Sequence, residues 1–300
     1  MGRPCALREK EVERVFSTPT IQQINSDYAE FFNLVGNNTG VDLSENGFRD
    51  ITTVVDFLYI QVSYRIYYPP LPDWTTEGNV KCNNNPIIPC KDKTVYEIMK
   101  EMNDLRFYVM YNSTELHKLD GGSVLTDIGK KFGEYVAGNR SVTYNIYSAH
   151  DSTVSAVLTA LQISDAKQPE YTATVMVELH KSAGDAQGHE VKVFYKPITD
   201  NSSIEEKNLP GCPSPCKLED FLQYVKRFEI SDWDKECGNN VPTTPAPPST
   251  DSLGLTHQEK ITIIACSTVV VVFCLILLIM FVRKRSSRSM APYLSLGTGA

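Results

Sequence analysis

The sequence predicts an α/β domain followed by one C-terminal transmembrane helix, and three observations carry this prediction. Residues 144–161 (YNIYSAHDSTVSAVLTAL) have the pattern of a short buried strand, a tight turn and an amphipathic helix. Residues 171–181 and 189–196 are rich in valine, tyrosine and phenylalanine, which are typical of strands. Residues 261–282 contain no charged side chain over 22 positions, enough for a helix of about 33 Å that spans the hydrocarbon core.

The part of the chain before residue 144 is predicted to be mainly helical. Apolar residues recur at helical spacing through residues 11–58, 94–119 and 124–136. Two stretches rich in asparagine or glycine, residues 37–40 and 120–122, are predicted to interrupt these helices.

The part after residue 161 is predicted to hold a hairpin and a short helix. Gly184 and Gly188 place a turn between the two strands described above. Residues 210–216 form a tight loop, and residues 218–228 show one apolar helical face. These elements indicate an α/β domain of two or three layers.

The turn at residues 149–151 is the candidate functional site. It places His150 and Asp151 at the carboxyl end of a predicted strand and at the start of a helix, where open α/β sheets bind ligands. Backbone N–H groups at such a helix start favour an anion such as phosphate. On spacing alone the alternative is simpler: Asp151 caps the helix, together with Ser152 and Thr153, and His150 is a turn residue.

Charge and cysteine content restrict the partners and the compartment. The formal net charge of -7 offers no basic surface, which argues against a nucleic-acid partner. Six of the eight cysteines precede the apolar run, an even set that fits an oxidising compartment. Cys82 and Cys90 enclose a short loop and can bridge each other. Zinc is the alternative for Cys212 and Cys216, but with no matching Cys/His pair nearby a disulfide is favoured.

Four Asn-x-Ser/Thr sequons predict a glycosylated luminal or extracellular face; they begin at Asn37, Asn112, Asn139 and Asn201.

The C-terminal quarter predicts a type I membrane protein. Residues 239–260, rich in proline, threonine and serine, are a stalk, residues 261–282 the transmembrane helix and residues 283–300 a cytoplasmic tail. Arginine and lysine follow the apolar run at once, which places the tail in the cytosol. In the tail, Tyr293 and Leu296 have the Tyr-x-x-apolar spacing of a sorting signal that binds clathrin adaptors. The predicted location is lysosomal or endosomal, or else the plasma membrane.

The first fifteen residues, MGRPCALREKEVERV, do not resemble a signal peptide because they have no apolar segment. A chain with luminal cysteines and sequons needs a translocation signal. Two explanations are open: the downstream apolar run serves as that signal, or the true start of the protein lies upstream.

With these parts together, the chain resembles the histidine acid phosphatases, in particular their membrane-anchored lysosomal and prostatic branch. The resemblance covers residues 4–238 in the family's order. It rests on five spaced motifs: YSAHDSTVS at the candidate site, LPDWTTE, LDGG, PGC with a cysteine four residues on, and DW with a cysteine four residues beyond the tryptophan.

The resemblance implies a phosphoglycerate-mutase-like α/β core with a helical cap, hydrolysis of phosphate monoesters at acid pH, and no metal or cofactor. In the family a histidine in an Arg-His-Gly box attacks phosphorus. Here His150 is expected to hold the phosphate and Asp151 to act as general acid. The family also implies disulfides between Cys5 and Cys237 and between Cys212 and Cys216, and it allows a homodimer.

The departure from the family concerns the nucleophile. None of the five histidines follows an arginine, so these 300 residues contain no Arg-His-Gly box. The family's first core strand, which lies beside the His-Asp strand, is also missing, and its loss would expose residues 144–148 as an apolar edge. We therefore expect a truncated product with little or no activity. The alternative is a folded, non-catalytic membrane glycoprotein or receptor whose phosphatase-like domain binds a partner.

Overall fold

A computed structural model describes residues 3–78, 80, 83, 85–184, 188–197 and 204–239. The chain divides into two compact units, Met1–Asn240 and Val241–Ala300, and every described residue lies in the first. Except for Asn239, the predicted stalk, transmembrane helix and tail therefore fall outside the described residues. None of the helices within the described ranges is long and apolar enough to cross a membrane.

The described ranges form twelve α-helices, one π-helical turn and three strands. The helices are α1 (Ala6–Phe16), α2 (Pro19–Asp27), α3 (Ala29–Thr39), α4 (Gly47–Asp50), α5 (Thr52–Ser63), α6 (Asp73–Thr76), α7 (Val95–Tyr111), α8 (Thr114–Leu116), α9 (Gly122–Val136), α10 (Asp151–Ala160), α11 (Leu218–Lys226) and α12 (Trp233–Glu236), with the π-helical turn at His117–Gly121 between α8 and α9. The strands are β1 (Thr174–Lys181), β2 (His189–Lys196) and β3 (Glu205–Lys207).

Local sequence sets the ends of two of these helices. The side chain of Thr94 accepts a hydrogen bond from the backbone N–H of Glu97, whose carboxylate accepts one from the Thr94 N–H, so a capping box starts α7. Helix α3 runs through the predicted interruption at residues 37–40 and ends only at Gly40, which has φ +76°. The predicted separation of the helices is confirmed at Gly40, although the helix includes residues 37–39, where the side chains of Asn38 and Thr39 donate to helix carbonyls.

The helices of the first half enclose the larger hydrophobic core. Its members come from the apolar faces of α1 to α5 and α7, as the helical spacing predicted, and include Ile24, Phe31, Phe48, Val55 and Met102, each no more than 1% exposed. The α-helical character of this half is therefore confirmed, and burial of these side chains supplies its main stabilisation.

A second core lies under a small antiparallel sheet of order β1-β2-β3. The predicted hairpin is confirmed: Thr174 pairs with Lys196 and Lys181 with His189. Alternate residues of β2 point inward, and Val193 packs in one cluster with Leu161 from the end of α10 and Phe221 of α11. β3 was not predicted, because its three residues, Glu-Glu-Lys, carry no apolar alternation.

The stretch 120–122 continues the helical path instead of breaking it. The π-helical turn carries the chain from α8 into α9. A Cβ atom on Gly121 would lie 2.2 Å from the carbonyl oxygen of Ala156 in α10. The two glycines thus lie at close contacts rather than breaking the helical path: Gly121 permits the backbone of α10 to approach this turn, and a Cβ on Gly122 would lie 2.6 Å from the Cβ of Phe228.

The predicted buried strand at residues 144–148 is absent and the segment is exposed. Residues 141–150 contain no strand, and Tyr144 and Ile146 are 78% and 76% exposed. The hydroxyl group of Tyr147 donates to the carboxylate of Asp127 in α9 (2.6 Å). The strand prediction was wrong because strand propensity reports fit to a pleated, half-buried surface, and in the structure no neighbouring described strand provides one.

Two disulfides join the described cysteines as the resemblance implied. Cys5 is bonded to Cys237 across 232 residues of sequence, and Cys212 to Cys216 across the tight loop. Cys90 is also disulfide-bonded; Cys82, its predicted partner, lies outside the described residues.

Candidate functional site

His150 and Asp151 stand at the start of α10, as the sequence predicted. His150 is the residue before the helix, its side chain makes no capping hydrogen bond, and it is exposed. Asp151 is the first helical residue and is partly buried. The helix therefore begins at Asp151, and His150 takes the N-cap position that the simpler alternative gave to Asp151.

The first turn of α10 already satisfies several of its own backbone donors. The N–H of Ser152 donates to Asp151 Oδ1 (2.6 Å), and the N–H groups of Thr153 and Val154 donate to the carbonyl oxygen of His150. These three amides are therefore engaged. An anion at this helix start would depend on the His150 side chain more than on free backbone N–H groups.

Helix α10 is seated against α7 and the π-helical turn. Phe107 and Tyr111 of α7 pack with Ala156 of α10 in a small buried cluster. Tyr111 also hydrogen-bonds the side chain of Ser152, while its burial raises the pKa of the phenol to about 12. Since Gly121 touches the backbone of α10 on the π-helical side, packing fixes the helix that carries Asp151.

A buried glutamine holds Asp151 from the loop that follows α10. Gln168 is 5% exposed and donates from Nε2 to Asp151 Oδ2 (2.9 Å). Its own Oε1 accepts a hydrogen bond from Asn103 of α7 (2.8 Å). Sequence reasoning missed Gln168 because a lone glutamine in a polar loop carries no motif, and only the tertiary structure brings it to a helix start 17 residues earlier.

A second carboxyl group, Asp56 of α5, lies close to Asp151. Although Asp56 as a residue is exposed, burial of its carboxyl group raises its pKa, and the charge of Asp151 raises it further. Arg106 and a hydrogen bond from Gln168 act in the opposite direction. Sequence reasoning also missed Asp56, which is one polar residue inside an apolar helix pattern.

The guanidinium of Arg106 is buried and its charge lowers the pKa of Asp56, but its hydrogen bond is made to α4. Its Nε donates to the backbone carbonyl of Arg49 (2.6 Å), and burial lowers its pKa. Within the described ranges no arginine donates a hydrogen bond to His150 or Asp151. The described residues thus bring two carboxyl groups together beside His150 without the paired arginine clamp that phosphate sites commonly use.

The remaining predicted residues lie away from Asp151 or outside the described ranges. Asn37, Asn112 and Asn139 are exposed; Asn201, Tyr293 and Leu296 lie outside. In the described part of the chain no group of three His, Cys, Asp or Glu side chains could hold a metal ion.

The other histidines have ordinary positions with one exception. His180 contacts Glu178 within β1 (2.8 Å), and His189 begins β2. His117 was expected to be exposed or hydrogen-bonded, but its Nε2 is buried without a partner, and burial lowers its pKa. The π-helical turn, which the sequence pattern did not predict, places this ring inside. His257 lies outside the described residues.

Comparison with known proteins gives one consistent result. The family model of the histidine phosphatase superfamily, branch 2, matches residues 5–196, a range that includes His150, Asp151 and Gln168.

Curated relatives agree with the family model. The chain is 29% identical over 170 residues to putative acid phosphatase 5 of Caenorhabditis elegans, covering 55% of this chain and 40% of that protein. It is 25% identical over 234 residues to human lysosomal acid phosphatase (78% and 50%) and 28% identical over 210 residues to mouse prostatic acid phosphatase (70% and 50%). The chain thus spans about half the length of these relatives. It belongs to branch 2 of the histidine phosphatase superfamily, within the histidine acid phosphatases.

Proposed function

We propose that this chain carries the proton-donor half of an acid phosphatase site, with Asp151 as general acid and His150 as a phosphate contact. The observation that carries the proposal is the geometry of the α10 start. An exposed imidazole stands beside a carboxyl group that is held by a buried amide and lies near a second carboxyl, all within the family match.

The proposed chemistry needs each group in a separate role. The His150 side chain binds a phosphate oxygen of a phosphomonoester. When a nucleophile from outside these residues forms its bond to phosphorus and the P–O bond to the alcohol breaks, Asp151 in its protonated form donates its proton to the leaving oxygen, so that the alcohol departs neutral. Burial and the charge of Asp151 raise the pKa of the neighbouring Asp56, so this second carboxyl group keeps its proton to higher pH than an isolated one and then adds no negative charge beside Asp151.

The nucleophile of the family is not among these 300 residues, since none of the five histidines follows an arginine. We therefore expect phosphate binding without turnover from the chain itself. No metal or cofactor is part of the proposal.

For the rest of the chain we propose the type I arrangement: a stalk at residues 239–260, a transmembrane helix at 261–282 and a tail at 283–300 carrying the Tyr293 and Leu296 signal. The charge distribution around the apolar run supports it, and the name of the human relative, lysosomal acid phosphatase, is consistent with the endosomal and lysosomal route.

Phosphate titration of the purified chain, followed through the imidazole signals in NMR, tests the site. We expect the His150 signals to shift with added inorganic phosphate and the response to disappear in His150→Ala. His180→Ala, which removes a histidine from β1, should leave the response intact. No shift at His150 up to high phosphate concentration would refute the phosphate contact. Hydrolysis of p-nitrophenyl phosphate that is lost in Asp151→Ala would show that the chain has a nucleophile of its own.

The second candidate is a non-catalytic glycoprotein that binds a partner through the exposed segment 141–150. The exposed apolar side chains of Tyr144 and Ile146 favour it. Partner capture that survives His150→Ala and resists competition by phosphate would support this function over the first.

A further inference from the structure

Gln168 differs from the other side chains near Asp151 because both the nitrogen and the oxygen of its side-chain amide are hydrogen-bonded. Nε2 donates to Asp151 Oδ2 at 2.9 Å, and Oε1 accepts from Asn103 Nδ2 at 2.8 Å. Asn103 is fully buried in α7. Because a carboxylate accepts hydrogen bonds and does not donate them, the NH₂ group of Gln168 faces Asp151, and its Oε1 is left to accept from Asn103.

The loop that carries Gln168 is anchored at this residue and again three residues later. The backbone N–H of Gln168 donates to Asp104 Oδ1 (2.9 Å). Three residues later, Tyr171 stacks on Tyr59 of α5 with ring centroids 5.5 Å apart and planes 18° apart. The side chain therefore projects from a backbone tied to both α7 and α5.

Three residues of the same loop have left-handed backbone conformations, which residues other than glycine rarely adopt. Gln162, Ala166 and Thr172 have φ values of +57°, +57° and +66°. Left-handed conformations at non-glycine residues persist only where the surrounding contacts determine them. Gln162 and Ala166 lie between the end of α10 and Gln168, where the chain returns to the start of the helix, and Thr172 follows Gln168 in the same loop.

Asp151 needs such a partner if its carboxyl group is to keep one orientation. A carboxylate in the first turn of a helix is free to rotate among the backbone N–H groups of that turn. In the structure Oδ1 already accepts from the N–H of Ser152 (2.6 Å). A second donor on Oδ2 fixes the plane of the carboxyl group by two contacts from opposite sides.

We propose that Gln168 is the positioning residue of Asp151, the amide that orients its carboxyl group for proton donation. This inference rests on the proposed function, because proton donation by Asp151 is what the orientation serves. The hydrogen bonds of Gln168 to Asp151 and Asn103 do not depend on that function. Asn103 belongs to the same unit, because its Nδ2 donates to the Oε1 of Gln168.

The titration midpoint of the neighbouring Asp56 is a quantity that a purely structural role of Gln168 would leave unchanged. Its pKa is raised by burial and by the charge of Asp151, and lowered by Gln168. Removing the amide donor should therefore move the midpoint of Asp56 upward, whereas removing the charge of Asp151 should move it downward. Opposite signs from two neighbouring substitutions cannot arise from general loosening of the fold.

The experiment uses the full chain labelled with ¹³C and ¹⁵N. The three-bond couplings about χ1 of Asp151 and the carboxyl titration of Asp56 are measured in the unchanged protein, Gln168→Met, Gln168→Asn and Asp151→Asn. Gln23→Met, on the exposed face of α2, is the matched control.

We expect Asp151 to occupy one χ1 rotamer in the unchanged protein and in the control, and to average among rotamers in both Gln168 variants. The shorter Gln168→Asn keeps the amide but cannot reach both partners. The Asp56 midpoint should rise in the Gln168 variants and fall in Asp151→Asn. An unaltered Asp151 rotamer in a folded Gln168 variant would overturn the proposal.

Should both Gln168 variants fail to fold, the unchanged protein still gives a decision. The side-chain NH₂ signals of Gln168 should shift as the neighbouring carboxyl groups titrate, and Asp151→Asn should diminish that response. NH₂ signals that ignore pH would contradict the hydrogen bond. None of these measurements involves phosphate, so an absent His150 response to phosphate would refute the proposed function and leave the positioning role standing.

Discussion

Substitution of Gly121 by alanine tests how the helix carrying Asp151 is seated. The added Cβ would lie 2.2 Å from the carbonyl oxygen of Ala156, 2.6 Å from its carbonyl carbon and 3.0 Å from the nitrogen of Val157. All three atoms belong to the backbone of α10. No side-chain rotation can relieve the contact, so the helix or the π-helical turn must move.

The size of the effect follows from the distances. Ordinary contact with a Cβ begins at 3.4 Å, so the oxygen at 2.2 Å is 1.2 Å too close (3.4 − 2.2). Overpacking of a tight interior costs about 1–3 kcal/mol and occasionally more. Because the obstacle is backbone, we expect a loss of about 3 kcal/mol, well beyond the roughly 0.5–1 kcal/mol that alanine gains over glycine within a helix.

Gly133 provides the matched control, since it lies within α9 and its Cβ would meet nothing within 4 Å. Gly133→Ala should stabilise the protein by about 0.5–1 kcal/mol. Urea unfolding followed by circular dichroism measures both variants, with midpoints compared at equal slope. Equal stability of Gly121→Ala and Gly133→Ala would refute the close approach of α10.

Three further predictions concern stability. Arg8→Met should lose about 1–3 kcal/mol in urea unfolding, because Asp120, 1% exposed, loses its 2.6 Å ion pair and is left without a partner at a site where burial already raises the pKa of its carboxyl group; full stability in this variant would contradict the pairing. Loss of the Cys5–Cys237 disulfide in the double serine variant should cost about 2–5 kcal/mol by the same assay, and an unchanged midpoint would show that the bond is dispensable. Burial lowers the pKa of His117 below 6.5, so the folded state binds fewer protons than the unfolded state below about pH 6.5, and stability falls as pH falls through that value. His117→Gln should flatten the loss between about pH 7 and 5; an unchanged pH slope would argue against a buried neutral ring.

The helices were predictable because burial leaves a period in the sequence. Val54, Val55 and Leu58 recur at the spacing of one helical face, and all three are buried in α5. The hairpin of β1 and β2 was equally predictable, since two segments with alternating valines are separated by a loop that contains glycines. The position of His150 and Asp151 before and at the start of a helix also followed from local patterns.

Residues 144–148 and 120–122 were wrongly predicted for one shared physical reason. A strand requires a neighbour that local sequence cannot supply, so Tyr144 and Ile146 are exposed despite their strand propensity. A pair of glycines predicts a helix break, yet Gly121 keeps a helical backbone and allows the backbone of Ala156 to lie in close contact. Each outcome depends on what lies opposite in space.

The sequence by itself determined the helical first half, the hairpin, the family motifs and the candidate pair His150 and Asp151, because periodicity and short motifs are local properties. Only the tertiary structure decided which groups surround that pair. Asp56, Asn103 and Gln168 come from α5, α7 and the loop after α10. Their meeting at one helix start depends on long-range packing, which leaves no pattern in neighbouring residues.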